Sequence, residues 1–330
     1  MSRTGRSASR VDPYGLAFGQ AGPAEVLRRL DLLVNRRLDG VLQGDYRGLV
    51  PGHGTEPGET RRYQPGDDVR RIDWNVTARS LDAHVRETIA DRELETWVLL
   101  DQSPSLDFGT ALYLKRELAL IALAGVGFLT ARAGNRIGAV LAGGSDRPEV
   151  LPARRGRSHL LTMLHRAATT PTPAASASAS APGASVGRTE LGAAIERLSA
   201  LHRRRGLAVV ISDFLAADDW SRPMTRLAAR HETLAIEVID PRELELPAVG
   251  VLTLVDPETG RRREVQTSSA KLRARYAEAA TAQRATIASH LRASGADHLV
   301  LRTDRDWLKD LIRFIALRRE RAAHISRSKP

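Results

Sequence analysis

Residues 97–105 read Trp-Val-Leu-Leu-Asp-Gln-Ser-Pro-Ser, an apolar run that ends in one carboxylate and two hydroxyls. Residues 207–214 read Leu-Ala-Val-Val-Ile-Ser-Asp-Phe and show the same change from apolar to polar. Both apolar runs have the length and composition of buried strands in a parallel sheet. Ligands bind beyond the carboxyl ends of such strands, so we expect the polar residues after both runs to converge. These candidate site residues are Asp101, Ser103, Ser105 and Asp213.

Carboxylates and hydroxyls at one point are the ligands that a small hard cation such as magnesium prefers. The same residue types also cap helices and form turns, so a capping turn is the structural alternative for residues 101–105. Asp213 has the corresponding alternative of an ordinary loop residue.

Strands alternate with helices along most of the chain, which predicts an α/β fold with a doubly wound, mostly parallel sheet. We expect a disordered tail at 1–22, an N-terminal helix and an irregular or β segment at 23–90, and the α/β domain at 91–330. A flexible loop rich in Ala, Ser, Thr and Pro is predicted at 169–186. A helix is predicted over 110–133, directly after the first polar strand end.

The composition excludes several classes of protein. The chain has no cysteine, which excludes disulfides and thiolate metal sites, and its 9 histidines show no zinc-ligand spacing. No Walker motif and no Gly-x-Ser-x-Gly elbow occurs, so we expect neither ATP hydrolysis nor a serine hydrolase. The net charge is +11, but the basic residues are mostly scattered arginines. This pattern favours attraction to an acidic protein over nucleic-acid binding.

No targeting segment is visible at the N-terminus, which is polar and basic. The longest apolar run, 118–131, is shorter than the roughly 20 residues that a membrane span needs. We therefore expect a soluble, cytoplasmic protein without a membrane span.

The chain contains Asp-x-Ser-x-Ser after a strand, a threonine at the start of a later helix and an aspartate after another strand. This combination resembles the metal-ion-dependent adhesion site (MIDAS) of von Willebrand factor A domains, which have a Rossmann-type fold. The resemblance implies that Ser103, Ser105 and Thr189 coordinate Mg²⁺ (or Mn²⁺) directly, and that Asp101 and Asp213 act through water. It also implies that the sixth coordination position of the metal is open to a carboxylate of a partner. The site would then serve binding instead of catalysis. Thr189 has the alternative of a simple helix N-cap.

A second resemblance comes from residues 62–79, which read Arg-Tyr-Gln-Pro-Gly-Asp-Asp-Val-Arg-Arg-Ile-Asp-Trp-Asn-Val-Thr-Ala-Arg. This segment resembles the signature of the bacterial domain-of-unknown-function fifty-eight family. Members of that family carry a von Willebrand A-like domain and are typically encoded beside MoxR-type AAA+ ATPases. The resemblance implies a MoxR-type ATPase as partner.

The signature itself allows two interpretations. In the structural one, arginines pair with aspartates and two aromatic side chains pack as anchors; the residues are Arg62, Arg70, Arg79, Asp67, Asp68, Asp73, Tyr63 and Trp74. In the other, the segment is a docking surface for the ATPase. We favour the structural interpretation.

The leading functional hypothesis is a non-enzymatic, metal-dependent protein-interaction module. It would act as an adaptor of the ATPase in protein remodelling or complex assembly, on a client that presents an acidic residue. The first alternative is a metal-dependent phosphoester hydrolase, which needs a positioned base. Candidate bases near the two loops are Asp107, Asp218 and Asp219. The second alternative is an arginine-driven nucleic-acid binder.

Overall fold

The computed structural model describes most of the chain after residue 94 and short stretches before it. The described residues are 25, 28–30, 32, 60–64, 69, 72–80, 82–86, 95–132, 134–143, 147–170, 191–216, 219–256 and 261–327. The predicted tail at 1–22, and all but the first two residues of the predicted loop at 169–186, lie outside them. Both therefore stay predictions, as does the domain boundary at residue 91.

A six-stranded sheet, with one antiparallel edge strand, forms the centre of the structure. In spatial order its strands are β10 (Asp297–Arg302), β7 (Glu232–Ile239), β6 (Leu207–Ser212), β3 (Glu95–Asp101), β4 (Arg136–Ala142) and β5 (Glu149–Arg154). Counted along the chain within the sheet, this order is 6-5-4-1-2-3, which is the doubly wound arrangement. The predicted α/β fold is confirmed, and β3 and β6 flank the switch point where the order reverses.

Two small antiparallel sheets lie outside the central one: β1 (Thr60–Arg62) with β2 (His84–Arg86), and β8 (Val251–Val255) with β9 (Arg262–Gln266). The α-helices whose bounds are defined are α1 (Trp74–Ser80), α2 (Lys115–Arg132), α3 (Arg157–Thr169), α4 (Leu191–Leu201), α5 (Ser221–Arg230), α6 (Pro241–Leu244), α7 (Ala270–Ser294) and α8 (Trp307–Arg327). Residues 25, 28–30 and 32, within the predicted N-terminal segment, are also helical. No helix among the described residues is both long enough and apolar enough to cross a lipid bilayer.

Apolar cores cover both faces of the sheet. Along β3, Val98 and Leu100 join the core formed with α2, α3 and α8, whereas Trp97 and Leu99 join the core formed with α4, α5 and α7. Successive side chains of a strand point to opposite faces, so a strand covered on both sides is apolar throughout. This is why 97–100 and 207–211 read as continuous apolar runs.

The predicted helix start at residue 110 is wrong, because α2 begins at Lys115. Residues 110–114 form a loop that is tied to the residues directly after β7 and β10. Thr110 donates through its backbone N and its Oγ1 to the carboxylate of Asp240, and the Leu112 N–H donates to the Thr303 carbonyl. These partners are more than a hundred residues away, so local periodicity cannot reveal them.

The structural interpretation of the 62–79 signature is corrected in part. Trp74 is 70% exposed, so it is not a packed anchor. Arg62 forms an ion pair with Asp82, which lies outside the signature, at 3.0 Å. Asp73 accepts hydrogen bonds from the backbone N–H groups of Asn75 and Val76 and caps the start of α1. Asp67, Asp68 and Arg70 lie outside the described residues.

Two buried histidines stack at the amino end of the sheet. The rings of His202 and His231 lie 3.9 Å apart and nearly parallel, and His202 Nε2 lies 3.1 Å from the Glu95 carbonyl oxygen. Within the described part of the chain, neither Nδ1 atom has a hydrogen-bond partner. Burial, and then repulsion between the two rings, lowers the pKa of His202 to about 4. Burial, and then Arg230 and Arg205, also lowers the pKa of His231.

These pKa values predict an acid-labile fold. The unfolded chain binds protons at these histidines below about pH 6.5, while folded His202 resists protonation down to about pH 4. The contribution of these neutral histidines to the free energy of unfolding should therefore be complete at neutral pH. It should be lost as the pH drops below about 6.5. We expect His202→Gln to flatten this slope in urea titrations at a series of pH values. The exposed His165→Gln is the matched control, and an unchanged slope in His202→Gln would contradict the prediction.

Candidate functional site

The loop after β3 folds around the carboxylate of Asp101. One oxygen of this group, Oδ1, accepts the backbone N–H of Ser103 at 2.8 Å. A single 3₁₀ turn follows at Pro104–Asp107, closed by the Leu106 N–H on the Ser103 carbonyl. The turn brings the hydroxyl oxygens of Ser103 and Ser105 to 3.0 Å from each other. The predicted Asp-x-Ser-x-Ser segment is therefore a compact loop with its hydroxyls side by side.

The loop after β6 is tied directly to the first loop. Ser212 Oγ donates to the second oxygen of Asp101, Oδ2, at 2.6 Å and accepts the backbone N–H of Phe214 at 3.0 Å. The Ser105 hydroxyl is also near enough to the Asp213 carboxylate to lower the pKa of Asp213. The two strand ends, which are more than a hundred residues apart in the sequence, thus meet as predicted. Sequence reasoning missed the bridging role of Ser212, although it directly precedes the predicted Asp213.

Phe214 holds an uncommon backbone conformation beside Asp213. Its φ of 54° lies in the left-handed region, which costs a bulky residue about 1–3 kcal/mol. The ring is buried and meets Trp220 edge to face, with centroids 5.1 Å apart. This packing, together with the hydrogen bond from the Phe214 N–H to Ser212, keeps the chain turning sharply after β6.

Gly143 presses against the first loop from the end of β4. Its φ is +112°, and a Cβ atom built on it would lie 2.7 Å from the Ser103 backbone nitrogen. A side chain at this position would be strained and would also displace the loop that carries both serines. Glycine is therefore required here by both conformation and space.

A buried lysine occupies the site, and the sequence analysis did not foresee it. Lys115, the first residue of α2, is 0% exposed, and its Nζ donates to Asp213 Oδ2 at 2.7 Å and also to Glu243 Oε1. Lysine is almost never fully buried unless it is paired. The one available signal was its rarity, since this arginine-rich chain has only three other lysines, Lys271, Lys309 and Lys329.

The charges of the site depend on one another. Burial, and after it the charge of Asp213, raises the pKa of Asp101 to about 6. Burial also acts to raise the pKa of Asp213, but the ammonium of Lys115 outweighs burial and holds this pKa below its ordinary value. Burial likewise acts to lower the pKa of Lys115, and the carboxylates of Asp213 and Glu243 reverse the effect and raise it. Lys115 and Asp213 are thus held as a buried ion pair.

Arg284 of α7 contacts both acidic residues that bind Lys115. Its Nη1 donates to the Asp213 carbonyl oxygen at 2.9 Å and to Glu237 at 2.8 Å, and its Nη2 donates to Glu243 at 2.9 Å. Glu237 also contacts His298 Nε2 at 2.8 Å. The Asp213 carbonyl after β6 and Glu237 of β7 are therefore joined through Arg284, and Glu237 also reaches His298 near the amino end of β10.

The geometry is compatible with a small hard cation at the two hydroxyls. Neighbouring oxygen ligands around a magnesium ion, each at about 2.1 Å from it, lie about 3 Å apart, close to the spacing of the Ser103 and Ser105 oxygens. The adjacent carboxylates of Asp101 and Asp213 would supply negative charge. The described residues contain no cluster of three or more His, Cys, Asp or Glu side chains that could hold a metal. A cation here would therefore depend on the hydroxyls.

The other predicted residues fall into two groups. Thr189 and Asp218 lie outside the described residues, so the predicted third direct ligand stays a prediction. Asp107 pairs with Arg116 at 2.9 Å, and the Asp219 carboxylate accepts the Gly192 N–H at 3.1 Å. Both candidate bases of the hydrolase alternative that the structure describes are therefore already engaged.

Comparison with known proteins identifies the family. The family model described as "Protein of unknown function DUF58" matches residues 59–286, well over half of the chain. The chain belongs to the DUF58 family. The uncharacterized protein Rv1480 of Mycobacterium tuberculosis is 54% identical to this DUF58 protein over 299 residues, covering 91% of this chain and 90% of the relative. The uncharacterized protein MAV169 of Mycobacterium avium is 49% identical over 173 residues, covering 52% and 95%.

Two solved structures resemble this DUF58 protein at low sequence identity. The conserved hypothetical protein BatB of Bacteroides thetaiotaomicron is 15% identical, with a TM-score of 0.40, and the match covers 69% of this chain and 99% of BatB. The SpRpn10 VWA domain is 14% identical, with a TM-score of 0.36, and the match covers 67% and 94%.

The bridge between the two loops predicts a specific loss of stability. Ser212→Ala removes the hydroxyl that donates to Asp101 and leaves the Phe214 N–H without its acceptor. A buried hydrogen bond to a charged group contributes about 1.5–3 kcal/mol, and we expect a loss of about 2–3 kcal/mol in guanidinium unfolding. Ser268→Ala, at an exposed position, is the control and should stay within about 0.5 kcal/mol of the wild type. A similarly small loss for Ser212→Ala would contradict the bridge.

Proposed function

We propose that this DUF58 protein is a protein-interaction module that binds an acidic partner through a magnesium (or manganese) ion at the switch point of its sheet. The observation that carries the proposal is the pair of hydroxyls of Ser103 and Ser105, 3.0 Å apart and beside two buried carboxylates. Bound there, a divalent cation would supply a positive centre for a carboxylate of the partner. The hydroxyls are neutral donors, so they leave much of that positive charge available.

The surroundings of the two loops support a binding role. Phe108 is 40% exposed and Leu114 is 37% exposed, and both belong to the loop that leads from the 3₁₀ turn to α2. The Lys115 N–H donates to the Phe108 carbonyl and closes this loop beside the site. Exposed apolar side chains around a charged centre are typical of a protein interface. The serines themselves are buried, so a protruding side chain such as Asp or Glu suits the site.

The partners follow from the family and from charge. The family resemblance of the 62–79 signature favours a MoxR-type AAA+ ATPase, with this protein acting as its adaptor in protein remodelling or complex assembly. The net charge of +11 would speed the encounter with an acidic client or ATPase surface. Trp74, which is exposed within the signature, favours docking of a partner on that segment, because tryptophan is enriched at interfaces.

Binding fits the site better than catalysis does. A general base needs a carboxylate that can accept a proton from a substrate. In Asp101 both oxygens accept hydrogen bonds from this chain, and in Asp213 they accept the Leu215 N–H and the Lys115 ammonium. These contacts support a non-enzymatic role in place of the phosphoester hydrolase.

The proposal predicts that the serine hydroxyls control partner binding. We expect the double variant Ser103→Ala/Ser105→Ala to bind a purified MoxR-type ATPase from the same genome at least about tenfold more weakly, a loss of about 1.4 kcal/mol. Biolayer interferometry in magnesium gives the affinity. The ATPase itself uses magnesium with its nucleotide, so site variants isolate the contribution of this chain better than a chelator does.

Two further measurements make the result decisive. Ser268→Ala should bind the ATPase like the wild type, and the double variant should keep the wild-type circular dichroism spectrum. Titration with Mn²⁺, followed by electron paramagnetic resonance, should show binding by the wild type and none by the double variant. Equal ATPase affinity of wild type and double variant would refute a cation-dependent site.

A further inference from the structure

Lys115 places a positive charge at the amino end of a helix, which is an unfavourable position for a cation. It is the first residue of α2, and the amino end of a helix carries a partial positive charge that repels cations. Its side chain has no exposed surface, so water does not compensate the charge. The carboxylates of Asp213 and Glu243 do so instead, through direct contacts to Nζ. The lysine is therefore held inside the site by its carboxylate partners.

Without this ammonium, the centre would hold an excess of buried negative charge. Asp101 and Asp213 lie close enough for the charge of one to raise the pKa of the other. Leaving a buried carboxylate without its partner is strongly unfavourable. Arg284 does not fill this role, because it reaches only the backbone carbonyl of Asp213 and directs its charge to Glu237 and Glu243.

A divalent cation at the serines would meet the same carboxylate that Lys115 already holds. Asp213 Oδ2 accepts the ammonium of Lys115 at 2.7 Å, and the Ser105 hydroxyl is near enough to lower the pKa of the same carboxyl, so one carboxylate faces both positions. Two positive charges within one buried cluster repel each other strongly, because water does not screen them. Occupancy of one position must therefore weaken the other.

We propose that Lys115 is an internal counter-ion that keeps the centre charge-balanced without a divalent cation and lowers the affinity of the centre for such a cation. The proposal rests on the proposed cation site at Ser103 and Ser105. It follows that the fold does not require metal, and that the cation binds weakly enough to exchange. Partner binding would then respond to the concentration of free divalent cation.

The test is Lys115→Met, which keeps the length of the side chain and removes its charge. We expect the variant to bind Mn²⁺ at least about tenfold more tightly than the wild type, measured by electron paramagnetic resonance. In chelator its melting temperature should be lower than that of the wild type, because Asp213 is left without its partner. Added Mn²⁺ should raise its melting temperature by several degrees more than that of the wild type.

Control variants separate this proposal from the proposed function. Lys271→Met removes an exposed lysine from α7 and should leave Mn²⁺ affinity and melting unchanged. The triple variant Ser103→Ala/Ser105→Ala/Lys115→Met should lose the gained affinity, which locates the cation at the serines. Equal Mn²⁺ affinity of the wild type and Lys115→Met would overturn the counter-ion role and leave the proposed function intact.

Two other outcomes also decide the matter. Absence of Mn²⁺ binding in both the wild type and Lys115→Met would overturn the proposed cation site and this inference together. If Lys115→Met is unfolded in chelator, the same titration is followed by circular dichroism. Recovery of the wild-type spectrum with Mn²⁺ supports the counter-ion role, and failure to recover at saturating Mn²⁺ overturns it.

Discussion

The buried ion pair between Lys115 and Asp213 is the constraint on which the arrangement of the site depends. It joins the start of α2 to the end of β6, and Glu243 brings α6 to the same point. Since an unpaired buried charge is so unfavourable, these three segments must adopt positions in which the charges meet. Arg284 then ties α7 to the Glu243 carboxylate and to the backbone carbonyl of Asp213. The carboxyl edge of the sheet thus carries a network of buried polar contacts, in addition to the apolar cores on its two faces.

The sheet topology explains why this concentration of charge occurs at one place. The strand order reverses between β3 and β6, and the helices α2 and α5 that follow them pack on opposite faces of the sheet. The hydrogen bond between Asp101 and Ser212 joins the two strand ends at this switch point, and Gly143 and Phe214 allow the chain to turn tightly beside it. A site of this kind has its polar groups fixed before any ligand arrives, which reduces the entropic cost of binding.

The hydrophobic pattern along the sequence predicted the strands that carry the site. It failed where contacts with residues distant in the sequence determine the local structure. The apolar runs 97–100 and 207–211 lie in β3 and β6, as predicted, because each run and the polar residues that end it are adjacent in the sequence. The start of α2 was misplaced, since hydrogen bonds to Asp240 and Thr303 hold the preceding loop. Trp74 was expected to be packed but is exposed. The sequence does not distinguish the two outcomes, since an aromatic residue in such a segment can be either buried or available for partner recognition.

The sequence by itself determined the α/β class, the two strand ends that carry the candidate site, and the pairing of Ser103 with Ser105. These features depend on residue type and on short spacing along the chain. Only the tertiary structure decided that Lys115 lies beside Asp213, that Ser212 bridges to Asp101, and that Arg284 binds the Asp213 carbonyl. Such contacts join residues about 70 to 110 positions apart. Packing of the two layers of helices brings them together, and neither composition nor periodicity encodes that geometry locally.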